Sequence, residues 1–123
     1  MEMTKAILTV DDSPSLRLVL REALTDAGHR VVEAEDGIAA LEWLASNEPQ
    51  LVITDITMPR LDGLALIEQL RRRDDMRDVP ILVLTTESAP ESKAKARAAG
   101  DTGWIAKPFD PDKLNSAIRR VTH

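Results

Sequence analysis

Five short apolar runs punctuate the chain, at residues 6–10, 30–34, 51–54, 81–85 and 104–106. They are rich in Val, Ile and Leu. The first, third and fourth are nearly continuous rather than alternating, the pattern of strands buried on both faces. Between them, apolar residues recur at helical spacing. Leu16, Val19, Leu20, Ala23, Leu24 and Ala27 form one stripe, and Ala40, Leu41 and Leu44 a second. Leu64, Ile67 and Leu70 form a third, and Leu114, Ala117, Ile118 and Val121 another. Residues 91–99, with Ala94 and Ala98 set among charges, carry the weakest stripe. Punctuation agrees with this division. Ser13-Pro14 puts a cap before a first-turn proline, and Gly28 and Gly100 follow predicted helices where a left-handed terminus is favoured. Asn47-Glu48-Pro49 closes the second helix. Strands alternating with helices predict an α/β fold, a parallel sheet covered on both faces. Five such units fill the 123 residues, so a single domain over 1–123 with no fused output domain is expected.

Composition narrows the chemistry. Hydrophobic residues make up 43% and charged residues 30%, enough for a core in a soluble protein. The absence of cysteine removes disulfides, iron–sulfur clusters and thiol nucleophiles, and two histidines, His29 and His123, cannot build a histidine-rich metal site. Sixteen basic residues against 21 acidic ones leave a net charge of −5, the wrong sign for a sequence-blind nucleic-acid binder. The first apolar run is far shorter than a secretory or membrane segment, so the expected compartment is the cytoplasm, with no membrane partner.

The chemistry gathers at strand ends. Val10-Asp11-Asp12-Ser13 closes the first strand, Thr54-Asp55 the third, Thr85-Thr86 the fourth and Lys107-Pro108 the fifth. In open α/β sheets ligands bind beyond the carboxyl ends of the strands. Asp11, Asp12, Asp55, Thr85 and Lys107 therefore share one rim. Three carboxylates there would repel one another. A divalent cation and the Lys107 ammonium could offset that, and carboxylates with waters and an incoming phosphate suit Mg²⁺. Any one strand-end Asp is more often a helix cap or turn former. Four coinciding strand ends argue against that for the set.

Val10-Asp11-Asp12-Ser13, the run from Asp55 to Gly63 (Asp-Ile-Thr-Met-Pro-Arg-Leu-Asp-Gly), Leu84-Thr85-Thr86-Glu87-Ser88 and Gly103-Trp104-Ile105-Ala106-Lys107-Pro108-Phe109 closely resemble response-regulator receiver domains. The resemblance covers essentially the whole chain and is closest to stand-alone CheY-like chemotaxis regulators. It implies a flavodoxin-like doubly wound sheet of five strands in the order 2-1-3-4-5, with five helices. It also implies that Asp55 accepts a phosphoryl group from a histidine kinase. Asp11, Asp12, Asp55 and the backbone carbonyl of Thr57 would hold Mg²⁺, or Mn²⁺ in its place. Lys107, followed by a cis peptide bond to Pro108, would pair with a phosphate oxygen. Thr85 would be the switch hydroxyl and Trp104 the switch aromatic, the alternative for Trp104 being a fixed, partly buried residue. Thr57 stands where chemotaxis members often carry Asn, and it and Glu87 would modulate the phosphoryl lifetime.

The resemblance places output on the fourth helix, fifth strand and fifth helix. Lys93, Lys95 and Arg97, with Trp104, and Lys113, Arg119 and Arg120 make that face basic, suited to an acidic segment of a target. Ordinary solubilising charge is the alternative. The implied partners are the kinase, the flagellar motor switch protein or another protein target, and a phosphatase; a monomer is expected. Trp43 and the cluster Arg71, Arg72, Arg73 and Arg77 read as packing and as solvated surface, respectively. Other roles for a receiver are a phosphorelay intermediate or a phosphate sink. A phosphatase enzyme working through an aspartyl-phosphate would want an Asp where Thr57 stands. Dinucleotide binding lacks its glycine motif after the first strand.

Overall fold

In the computed structural model, the described residues are 6–56, 58, 60–86 and 90–122. Strands β1 (Ile7–Val10), β2 (Val31–Ala34), β3 (Leu51–Thr54), β4 (Ile81–Thr85) and β5 (Gly103–Ala106) alternate with helices α1 (Pro14–Asp26), α2 (Gly37–Leu44), α3 (Gly63–Arg72), α4 (Pro90–Ala99) and α5 (Pro111–Val121). A short 3-10 turn, Asp74–Met76, follows α3. The strands form one parallel sheet in the order β2-β1-β3-β4-β5, the flavodoxin-like arrangement that the motifs implied.

Buried apolar side chains of the strands divide between two cores, because successive residues point to opposite faces. Leu8, Val10, Val52, Ile81 and Val83 pack with Ala40, Leu44, Leu66, Ile67, Leu70 and Ala96, so α2, α3 and α4 cover one face. Ile7, Leu51, Ile53, Leu82 and Leu84 pack with Leu20, Leu24, Leu114, Ala117 and Ile118, so α1 and α5 cover the other. β1, β3 and β4 are buried along their whole length, as their continuous apolar runs predict. Ser13 caps α1 by accepting from Leu16 N–H, and Gly28 and Gly100 take φ of +91° and +113°. No helix among the described residues is long and apolar enough to cross a membrane.

Three expectations need correcting. Val19 and Ala27 belong to the predicted stripe of α1 but are exposed, Val19 at 52%. Leu20 and Leu24 define the buried line, and Val19 sits about 100° around the helix from Leu20. On α4 the buried small residue is Ala96, while Ala94 and Ala98 face outward. Arg71 is not solvated surface. Its Nε donates to the Gly100 carbonyl at 2.8 Å, and Nη1 lies 2.8–3.1 Å from the carbonyls of Met76, Arg77 and Val79. Burial lowers its pKa from the ordinary arginine value, against the opposing charges of Asp78 and Asp101. Arg71 thus ties the carbonyl that follows α4 to carbonyls of the 3-10 turn and of the loop leading into β4.

Gly63, at the start of α3, lies close against the backbone that leaves β3. Gly63 N–H donates to the Ile56 carbonyl at 2.8 Å. A Cβ on Gly63 would stand 2.0 Å from the backbone oxygen of Asp55, so no other residue fits without moving that strand end. Gly63→Ala is expected to cost about 1–3 kcal/mol or more, as overpacking does. Urea unfolding measures it; an unchanged midpoint would mean that the turn yields freely.

Candidate functional site

Three rim residues sit one position beyond their strands, and each contributes the last rung of the sheet. Asp11 N–H donates to the Ala34 carbonyl, Asp55 N–H to Val10 and Lys107 N–H to Thr85, at 2.9–3.1 Å. Sheet register therefore sets where all three side chains start. Thr85 is buried at the end of β4, and the Lys107–Pro108 peptide bond is cis.

The side chains then close on one another. Lys107 Nζ donates to Asp11 Oδ2 at 2.7 Å and to Asp55 Oδ2 at 2.8 Å. The other oxygens are held from the backbone: Ser13 N–H donates to Asp11 Oδ1 at 2.9 Å and Ile56 N–H to Asp55 Oδ1 at 2.6 Å. Burial of the ammonium works to lower the pKa of Lys107, but the hydrogen bonds and charges of Asp11 and Asp55 outweigh it and raise the pKa above the ordinary 10.5.

Asp12 differs from both. It is exposed and makes no hydrogen bond or ion pair among the described residues. One carboxylate oxygen from each of Asp11, Asp12 and Asp55 falls within 4.8 Å of the others. All three donors are oxygens, one of them is unengaged, and the pocket opens to solvent. That donor set fits a hard divalent cation that keeps part of its water shell.

Thr57 and Glu87 lie outside the described residues. Trp104 is partly buried against the core on the α4 side, with Lys93 Nζ 5.9 Å from its ring centroid. Its Nε1 is buried without a partner among the described residues. Lys93, Lys95, Arg97, Lys113, Arg119 and Arg120 are exposed. A cavity of about 780 Å³ runs between β5 and α5, lined in part by Trp104, Phe109, Lys113 and Arg120.

A clamp that the apolar pattern does not reveal braces the rim. Arg60, at φ 67°, donates through Nε and Nη2 to Asp36 at 2.6 and 2.9 Å. Asp36 also caps α2 by accepting from Ala39 N–H. The Arg60 hydrogen bond, and then the backbone bond from Ala39, hold the Asp36 pKa below the ordinary carboxylate value. Asp-Gly before a helical stripe signals the cap, but nothing local signals a partner 24 residues away.

The family model for the response regulator receiver domain matches residues 7–119. The chain belongs to that family. Among its relatives, response regulator MprA of Mycobacterium sp. (strain KMS) is 40% identical over 97% of this chain and 51% of its own length, and MprA of Mycobacterium ulcerans is also 40% identical. The chain thus spans about half the length of these curated relatives. Among solved structures, Vibrio cholerae chemotaxis protein CheY4 matches this receiver with TM-score 0.91 at 38% identity, over 97% of this chain and 99% of that one. The receiver domain of a sensor histidine kinase from Pseudomonas aeruginosa PAO1, with a magnesium ion coordinated in its active site cleft, matches with TM-score 0.90 at 28% identity, over 98% of each chain.

Two outcomes follow from the charges. A raised Lys107 pKa means that its bridge stabilises fully below pH 10.5 and is lost as pH rises through the folded value. The stability that Lys107 adds over Lys107→Met should therefore be level from pH 7 to about 10 and shrink at higher pH. Urea unfolding across that range checks it, and a flat difference would contradict the bridge. Asp12→Asn removes an uncompensated negative charge from the rim. Without divalent metal it should stabilise the receiver by about 1 kcal/mol, the size of one like-charge contact in a water-like dielectric. A lowered midpoint in chelator would contradict carboxylate crowding.

Proposed function

We propose that this receiver accepts a phosphoryl group on Asp55 from the phosphohistidine of a kinase, in a reaction that needs Mg²⁺ bound by Asp11, Asp12, Asp55 and the Thr57 carbonyl, with Mn²⁺ able to replace it. The observation that carries the reading is the shared hydrogen bonding of Lys107 to Asp11 and Asp55 at the carboxyl ends of β1 and β3. The magnesium in the active site cleft of the Pseudomonas receiver supports the metal.

Asp55 is the nucleophile. One of its carboxylate oxygens attacks phosphorus while the bond to the histidine nitrogen breaks. The bound cation supplies charge neutralisation on the transferring oxygens. Lys107 starts within hydrogen-bond reach of the nucleophile, so its ammonium can leave Asp55 Oδ2 for an arriving phosphate oxygen with little movement. Ile56 N–H keeps the other carboxylate oxygen in place. Asp11 stays anchored by Ser13 N–H while its second oxygen gives up Lys107. Water attack on the aspartyl-phosphate then resets the switch, at a rate that Thr57 and Glu87 modulate and a phosphatase can raise.

Thr85 reads the event. A hydroxyl bonding a phosphate oxygen contributes about 1.5–3 kcal/mol, roughly ten- to a hundredfold in population. A complete reversal from 1:99 to 99:1 needs about 10⁴-fold, so partner binding finishes the shift. Trp104 follows Thr85, and the basic face of α4 and α5 receives an acidic target segment. Likeness to Vibrio cholerae CheY4 over nearly its whole length favours a chemotaxis role, with the flagellar motor switch protein as target and a cytoplasmic monomer as the working form. The MprA matches carry the receiver and leave the target open.

Phosphotransfer from a labelled histidine kinase, with and without Mg²⁺, tests this. Wild type should label only with the metal, and Asp55→Asn should not label. Equal labelling of Asp55→Asn would remove Asp55 from its role. Thr85→Ala should accept phosphoryl yet lose the ten- to hundredfold gain in partner affinity; an undiminished gain would sink the switch assignment.

A further inference from the structure

Asp11 is fixed at every polar atom. Its N–H completes the sheet, its Oδ1 accepts from Ser13 and its Oδ2 from Lys107. The remaining atom, its carbonyl oxygen, leaves the sheet at the turn into α1. There Arg17 Nη1 donates to it at 2.6 Å. Arg17 stands in the second turn of α1 and is itself held by Glu33 of the edge strand, whose Oε1 lies 3.5 Å from Arg17 Nε. The same carboxylate takes Arg21 Nη1 on its other oxygen at 2.9 Å. The path thus runs from β2 through Glu33 and Arg17 to the backbone just before Asp12.

We infer that Arg17 is a positioning residue for the acidic pocket, and that Glu33 aims it. Without a donor on its carbonyl, the peptide joining Asp11 to Asp12 could rotate, and Asp12 has no other tie among the described residues. Fixing that one peptide therefore fixes the point from which the only unengaged carboxylate of the cluster reaches a cation. A guanidinium suits the task because its planar fork can serve a carbonyl and a carboxylate together, which a lysine ammonium does less well. Outer contacts that orient a metal ligand commonly contribute ten- to a hundredfold in affinity. The inference rests on reading the pocket as a divalent-cation site.

Free Mn²⁺, counted by electron paramagnetic resonance during titration of the unphosphorylated protein, gives the affinity without reference to activity. Arg17→Met, which keeps the aliphatic stem, should weaken binding about tenfold. Arg17→Lys should recover only part of the loss. Glu33→Gln should weaken binding less, and should add nothing once Arg17 is Met, because it acts through Arg17. Arg21→Met touches Glu33 but not Asp11 and should bind within twofold of wild type. Circular dichroism identifies variants that fold; if Arg17→Met does not, Arg17→Lys and Glu33→Gln decide the matter. Wild-type affinity in the folded Arg17 variants, or additive losses from Arg17→Met and Glu33→Gln, would overturn the inference alone. A wild-type protein that binds no Mn²⁺ would overturn both it and the cation site.

Discussion

Three carboxylates and one ammonium share the rim of the sheet, and the behaviour of this receiver depends on that imbalance. Lys107 bridges Asp11 and Asp55 at 2.7 and 2.8 Å, and leaves Asp12 without a counter-charge among the described residues. Backbone geometry enforces the crowding. Asp11 and Asp55 are adjacent because β1 and β3 pair in register, Val10 opposite Thr54. Lys107 reaches them from β5, whose end is tied to β4 through the Thr85 carbonyl. Separating the charges would require slipping a strand, which would turn every buried side chain of that strand to the wrong face.

The proposed acceptor role suits this arrangement because its parts differ in freedom. Asp11 and Asp55 are held at both carboxylate oxygens, so the proposed nucleophile and its neighbour are preorganised. Asp12 is exposed and unengaged. Lys107 donates to the carboxylates of Asp11 and Asp55, the side chains that an incoming phosphate or cation would also approach. Local braces tie down the backbone behind these side chains. Gly63 presses against the Asp55 carbonyl, Arg60 pins the β3–α3 connection to the cap of α2, and Arg17 holds the Asp11 carbonyl.

Much of this was legible in the sequence, and the reason is physical. Continuous apolar runs identify the buried strands, and the residue after each run must lie at the carboxyl edge of a parallel sheet. That logic alone assembles Asp11, Asp55, Thr85 and Lys107. The strand order and the roles of these residues came instead from the motifs. The braces were not legible. Arg60 finds Asp36 24 residues away and Arg71 finds Gly100 29 residues away, and an arginine that satisfies carbonyls looks in sequence like one in solvent. Val19 misled for a related reason: helical spacing tolerates an error of one position in the width of an apolar stripe, and only packing against Leu20 and Leu24 decides it.

If the surplus negative charge at the rim is what recruits the metal, the metal must stabilise the fold. A ligand that binds only the native state adds RT ln(1 + [L]/Kd), about 2.7 kcal/mol at a hundred times its Kd. The direct measurement is the urea midpoint of the unphosphorylated wild-type protein as Mg²⁺ is raised at constant ionic strength. The account predicts a midpoint that climbs logarithmically once Mg²⁺ exceeds its Kd. A midpoint that stays flat across the whole titration would contradict it.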